Sequence, residues 1–113
     1  MKEFTLNADF GMTASDDEFS LYGIHTGDMI MFKKVDDLPP NGSIVAVSID
    51  NGPATLKRIS FYGDSSDCYF EGGSGKVAPI FISAAEHSRL KILGVAISVI
   101  HHLSHASSLE KLT

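Results

Sequence analysis

The sequence predicts a mostly β fold, with about seven short strands in mostly antiparallel pairing and little helix. Three observations carry this reading. Residues 43–49 read Ser-Ile-Val-Ala-Val-Ser-Ile, a near-continuous β-branched run of the kind found in strands buried on both faces. Asp50-Asn51-Gly52 follows at once as a hairpin turn. Residues 90–100, the strongest apolar segment, are rich in Ile and Val and are interrupted by Gly94, which costs a helix about 1 kcal/mol; they read as a strand.

The other elements follow in chain order. Phe10 to Ser15 gives a first strand with Phe10, Met12 and Ala14 on one face. Asp16-Asp17-Glu18-Phe19-Ser20 is polar and suits a helical turn capped by Ser15 or Asp16. Gly23 to Asp28, with two glycines, is a loop or tight turn. Met29 to Phe32 is a short strand. Residues 35–42, with Asp36, Asp37, Pro39, Pro40, Asn41 and Gly42, form the clearest loop. The return strand of the hairpin runs from about Ala54 to Tyr62, and a turn over 63–67 leads to a strand with Cys68, Tyr69 and Phe70. Gly72 to Gly75 is a flexible loop. Ala78 to Ser83 is a strand that Pro79 marks as an edge, and Ala84 to Arg89 makes one helical turn. In the final strand, strict alternation puts Val95, Ile97 and Val99 on one face and Ala96, Ser98 and Ile100 on the other. Residues 1–8 and 104–113 are expected to be loose ends of a single domain spanning 1–113.

With 43% hydrophobic and 20% charged residues, the chain has the makings of an ordinary core, resting on Phe, Ile, Val, Leu and Met because there is no Trp. A net charge of −5 and scattered basic residues argue against direct nucleic-acid binding, which needs clustered Lys and Arg. Cys68 is the single cysteine, so no intrachain disulfide forms, in keeping with a reducing cytoplasm. No apolar run approaches the roughly 20 residues of a membrane helix, and residues 1–7 lack the apolar core of a signal peptide.

Four stretches, taken in order, resemble the C-terminal serine–lysine peptidase domain of LexA/UmuD-type repressors. Asp9-Phe10-Gly11-Met12-Thr13-Ala14-Ser15 leads into Asp16-Asp17-Glu18-Phe19, where that family has Gly-Asp-Ser-Met, and Gly23-Ile24-His25-Thr26-Gly27-Asp28 matches the Gly-Ile-x-x-Gly-Asp that follows. Asn41-Gly42-Ser43-Ile44-Val45-Ala46-Val47 matches the next loop and strand. Thr55-Leu56-Lys57-Arg58-Ile59 matches the hairpin strand bearing the family's lysine, and Ile92 to Val99 matches its final apolar strand. The likeness covers roughly residues 9 to 102. It implies a LexA/signal-peptidase-like twisted antiparallel β fold, no cofactor, and homodimerisation through the C-terminal strand region. It also implies a place in a phage, mobile-element or SOS-type regulatory system, with a regulatory protein or polymerase as partner.

In the family a serine hydroxyl attacks the chain's own backbone and a neutral, buried lysine takes its proton. Here Lys57 stands at the general-base position, and counting back from Gly23 puts Glu18 at the nucleophile position. A glutamate removes the hydroxyl, and beside the lysine it favours the ammonium. The sequence therefore predicts a Glu18–Lys57 ion pair and an inactive domain. One further departure agrees with this. Residues 1–17 contain no Ala-Gly or Cys-Gly pair to cleave, and they leave no room for a helix-turn-helix domain. A chain beginning at Met1 is also not expected to be a cleavage product. Gly73-Ser74-Gly75-Lys76 replaces the family's Asn-Pro turn and leaves the details of the substrate groove open.

The competing reading is an active serine–lysine peptidase that uses another serine, Ser15 or Ser20, or that has position 18 altered. A shift of two or three residues moves a hydroxyl several ångströms, outside productive geometry. His101, His102 and His105 have helix-turn spacing for a metal, but as residues leaving a strand they read as a polar exit. Asp16, Asp17, Glu18 and Asp28 lack any EF-hand spacing and read as a solvated acidic turn. Gly72-Gly73-Ser74-Gly75 is not followed by the Lys-Ser/Thr of a phosphate loop.

Overall fold

The computed structural model describes residues 7–101. Residues 1–6 and 104–113 of the expected loose ends, with His102 and His105, lie outside the described residues. The described residues form seven strands: β1 (Phe10–Thr13), β2 (Met29–Lys33), β3 (Ile44–Ile49), β4 (Thr55–Phe61), β5 (Cys68–Glu71), β6 (Ile80–Ile82) and β7 (Leu90–Ile100). Two 3-10 turns, Ser20–Tyr22 and Ala84–Arg89, are the helical content of the described residues. All seven strands form one sheet in the order β1-β2-β7-β3-β4-β5-β6, and every pairing is antiparallel. The mostly β expectation is met, and so is the strand reading of 90–100. Pro79 stands just before β6, which is an edge strand as expected.

The centre of the sheet explains why residues 43–49 carry no polar face. Val45, Ala46 and Val47 are all fully buried. Val45 and Val47 point into one cluster with Ile59, Cys68, Phe70 and Ile82. Ala46 belongs to a second cluster with Phe19, Ile24, Ile30 and Phe32. Each fully buried Val, Ile or Phe contributes about 1.5–3 kcal/mol of transfer free energy, so β3 is held from both sides. Phe10, Met12 and Ala14 pack on the second cluster, as the alternation of β1 requires, and the Phe10 ring stacks on Phe32 at 5.0 Å and 10°.

The β3–β4 hairpin turns through Asp50 and Asn51, both left-handed (φ 53° and 61°), closed by a Gly52 N–H to Ile49 carbonyl bond of 3.0 Å. Two positive φ angles in a two-residue turn match the twist of the flanking strands. The Arg89 guanidinium grips the Asp50 carboxylate with both arms (2.7 and 2.8 Å), tying this turn to the start of β7.

Two expectations need correcting. Strict alternation along β7 fails because the strand carries two bulges. Its register slips against β3 between Ala46 and Val47, and against β2 between Met31 and Phe32. Ile92 and Val95 therefore face the first cluster, while Leu93, Ala96 and Val99 face the second; Val95 and Val99 do not share a face. An extra residue in a strand inverts the side-chain sequence beyond it. The 3-10 turn after Asp16-Asp17 also lacks the expected cap. It begins at Ser20, with Phe19 at its N-terminus and no side-chain bond there. The Asp16 carboxylate instead accepts the Glu18 N–H (3.0 Å).

Candidate functional site

A cleft of about 300 Å³ opens between the segment leaving β1 and the start of β4. Ser15, Asp16, Glu18 and Phe19 line one wall, Ala54 to Lys57 the other, and Val77 reaches it from the β5–β6 connection. The structure thus brings Glu18 and Lys57 to one concavity.

The first wall is fixed by its own short-range bonding. The Ala14 N–H donates to the Asp28 carbonyl (2.8 Å) and the Gly27 N–H to the Ala14 carbonyl (2.9 Å), which clamps both ends of the 14–28 excursion. Within it, the Asp17 carboxylate accepts from the Thr26 N–H (2.9 Å) and hydroxyl (3.0 Å). These bonds hold the Asp17 carboxyl below its ordinary range. Phe19 and Ile24 are buried in the second cluster, so residue 18 sits between an anchored turn and a buried ring. Gly23, with φ of 81°, ends the 3-10 turn in a left-handed conformation that favours glycine. The buried Asp28 accepts the His25 N–H (2.9 Å) and bonds Nδ1 of His101 (2.9 Å). His101 is thus engaged by a carboxylate, and no group of three or more possible metal ligands occurs among the described residues.

The expected Glu18–Lys57 ion pair is not formed. Among the described residues, no salt bridge joins them and the Lys57 amine has no bonded partner. Glu18 Oε1 instead accepts the Ser74 hydroxyl at 2.7 Å and the Ser74 N–H at 3.3 Å. The Ser74 bonds are the main cause of a Glu18 pKa below its usual 4.5, with Lys76 and then Lys57 adding smaller electrostatic contributions. The glycines before Ser74 make this possible. A Cβ on Gly72 would collide with the Glu18 carboxylate, and one on Gly73 would lie 2.5 Å from the Glu18 carbonyl and 2.8 Å from Phe19 Cα. The β4–β5 register pairs Arg58 with Glu71. Glu18 and Lys57 share the cleft without a bond between them. Sequence reasoning passed over Ser74 because its partner is 56 residues away. The available signal was Gly72-Gly73-Ser74 itself, two residues without side chains followed by a small donor.

Among the described residues, no hydroxyl is bonded to the Lys57 amine. Ser15 lines the cleft, and the Ser20 N–H is used in the turn, donating to the Asp17 carbonyl at 3.0 Å. Cys68 is buried in the first cluster, and burial pushes its thiol pKa up, the direction of an inert thiol.

A single antiparallel β sheet thus carries a cleft between the segment after β1 and the lysine-bearing hairpin strand. The family model "Peptidase S24-like" matches residues 2–97, and the chain belongs to that family. It is similar to the LexA repressor of Myxococcus xanthus (strain DK1622), 33% identical over 81 residues, covering 72% of this chain and 35% of the relative. The LexA repressor of Anaeromyxobacter dehalogenans (strain 2CP-1 / ATCC BAA-258) is 33% identical over 98 residues, covering 84% and 40%. That of Actinobacillus succinogenes is 27% identical over 99 residues, covering 88% and 45%. The chain therefore spans less than half the length of these relatives.

Proposed function

We propose that this chain is a catalytically inactive member of its family, serving as a dimerisation or partner-binding module in a phage, mobile-element or SOS-type regulatory system. One observation carries the reading. Glu18, which the family resemblance puts at the nucleophile position, is a carboxylate that accepts the Ser74 hydroxyl and backbone N–H, while among the described residues no hydroxyl is bonded to the Lys57 amine. An ionised carboxylate bonded in this way has no proton for the lysine to remove, and the serine attack described above has no atom to start from.

The module half of the proposal rests on β7. Ile97 and Ile100 are each about half exposed (47% and 48%), and Ile100 pairs across the sheet with the exposed Met29. This apolar group lies on the final strand, where the family resemblance places self-association, and suits a second copy of the chain. The acidic charge keeps direct nucleic-acid contact out of the proposal.

The test is self-processing. The purified protein is held from neutral to alkaline pH, where a serine–lysine dyad gains activity, and followed by intact mass; an unchanged mass is expected. A new backbone cut, lost again in Ser15→Ala, overturns the proposal and establishes the cleft-lining Ser15 as the nucleophile of an active peptidase. A cut that survives that change overturns it equally.

A further inference from the structure

Glu18 has two candidate partners, the Ser74 donors beside the cleft and the Lys57 amine that lines it, and the structure shows it bonded to the first. Opposite charges facing one concavity attract, and a half-buried ammonium without a counter-ion is unfavourable. Something must therefore hold the carboxylate away. The loop does so by shape as well as by bonding. Ser74 presents two donors to a single oxygen, and Gly72 and Gly73 let the loop backbone come against Glu18 and Phe19 with no side chain between. The same loop leads to Val77, which lines the cleft.

We propose that Ser74 is a positioning residue that keeps the Glu18 carboxylate off Lys57, leaving the lysine amine unpaired in the cleft. Without the Ser74 hydroxyl, the carboxylate turns to Lys57 and closes the ion pair. Position 18 and the loop 72–74 act as one unit, and what reaches the cleft lysine depends on a residue outside the cleft wall. The proposal deepens the binding-module reading but rests on the geometry of three side chains, whether or not the domain cleaves anything.

Acylation of Lys57 tests it. The protein is treated with limiting acetic anhydride, and each lysine is followed by peptide mass mapping, with the exposed Lys91 as internal reference. In Ser74→Ala, Lys57 labelling relative to Lys91 should fall by about tenfold, because a carboxylate within about 4–6 Å holds an amine as ammonium and only the free amine reacts. Ser74→Thr, which keeps the hydroxyl, should retain parental labelling. Glu18→Gln combined with Ser74→Ala should abolish the fall, since the amide carries no charge. Gly73→Ala, which wedges the loop away, is a second route to the same loss and covers the case in which Ser74→Ala does not fold. Unchanged or faster Lys57 labelling in the folded Ser74→Ala or Gly73→Ala protein overturns the proposal, as does a fall that persists with Gln at position 18. Self-processing would sink the inactive reading alone, and an unchanged labelling ratio would sink this inference alone.

Discussion

Replacing Gly94 with alanine tests whether the two halves of the sheet are packed as described. Gly94 is buried in β7 opposite Ala46. A Cβ there would stand 2.9 Å from the Lys33 carbonyl oxygen and 2.9 and 3.1 Å from two carbons of the Phe10 ring. The Phe10 ring can rotate away, but the carbonyl belongs to β2 and moves only if the strand moves. Overpacking of this kind costs about 1–3 kcal/mol. Displacing Phe10 from its stack on Phe32 forfeits a further 0.5–1.5 kcal/mol or so. The expected destabilisation is about 2–4 kcal/mol, a fall in Tm of roughly 10–20 °C for a domain of this size. Thermal unfolding followed by circular dichroism reads it directly. In a Phe10→Leu background the same substitution should cost about 1 kcal/mol less, because one of the two obstacles is gone. A Gly94→Ala protein melting within about 2 °C of the parent would refute the packing argument.

The proposed dimer predicts that Ile97→Asp with Ile100→Asp, at positions already half exposed, leaves the fold intact and converts the protein to monomer in sedimentation equilibrium. A parent that is monomeric at micromolar concentration would remove the dimer altogether. Acid stability follows from the carboxylates. Asp9, Asp17, Glu18, Asp50 and Glu86 all have folded-state pKa values below their ordinary 3.8 or 4.5, through bonds to the Lys34 N–H, Thr26, Ser74, Arg89 and Ser83 respectively. A depressed pKa stabilises the fold fully above the unfolded value, and the contribution disappears as pH falls through the folded one. Tm should therefore be level from neutrality down to about pH 5 and drop below about pH 4; a decline beginning near pH 6 would mean that other groups control it.

The strands were readable because their signals are local. The β-branched run of β3 and the Asp50-Asn51 turn need no knowledge of the rest of the chain, and both stand where the residues put them. The bulges of β7 were hidden because they exist only in its pairing with β2 and β3, and nothing in Leu90–Ile100 distinguishes a slipped register from a regular one. In the cleft, the positions of Glu18 and Lys57 on facing walls followed from the order of the motifs. The bonding did not. Pairing the two by charge was reasonable from the sequence, but it missed that Ser74 offers two hydrogen bonds at closer range from a loop that read as flexible filler. Which of two donors wins is decided by distances that only the folded chain defines.

The two bulges also constrain how β7 can err during folding. A regular strand at the middle of a sheet has several near-equivalent alignments, each two residues apart. Here a slid β7 would carry its extra residues away from the register slips in its pairing with β2 and β3, and would bring a side chain in place of Gly94 against the Phe10 ring. Misalignment is thus penalised on both flanks at once, which gives an Ile- and Val-rich segment with little sequence variety a single resting place.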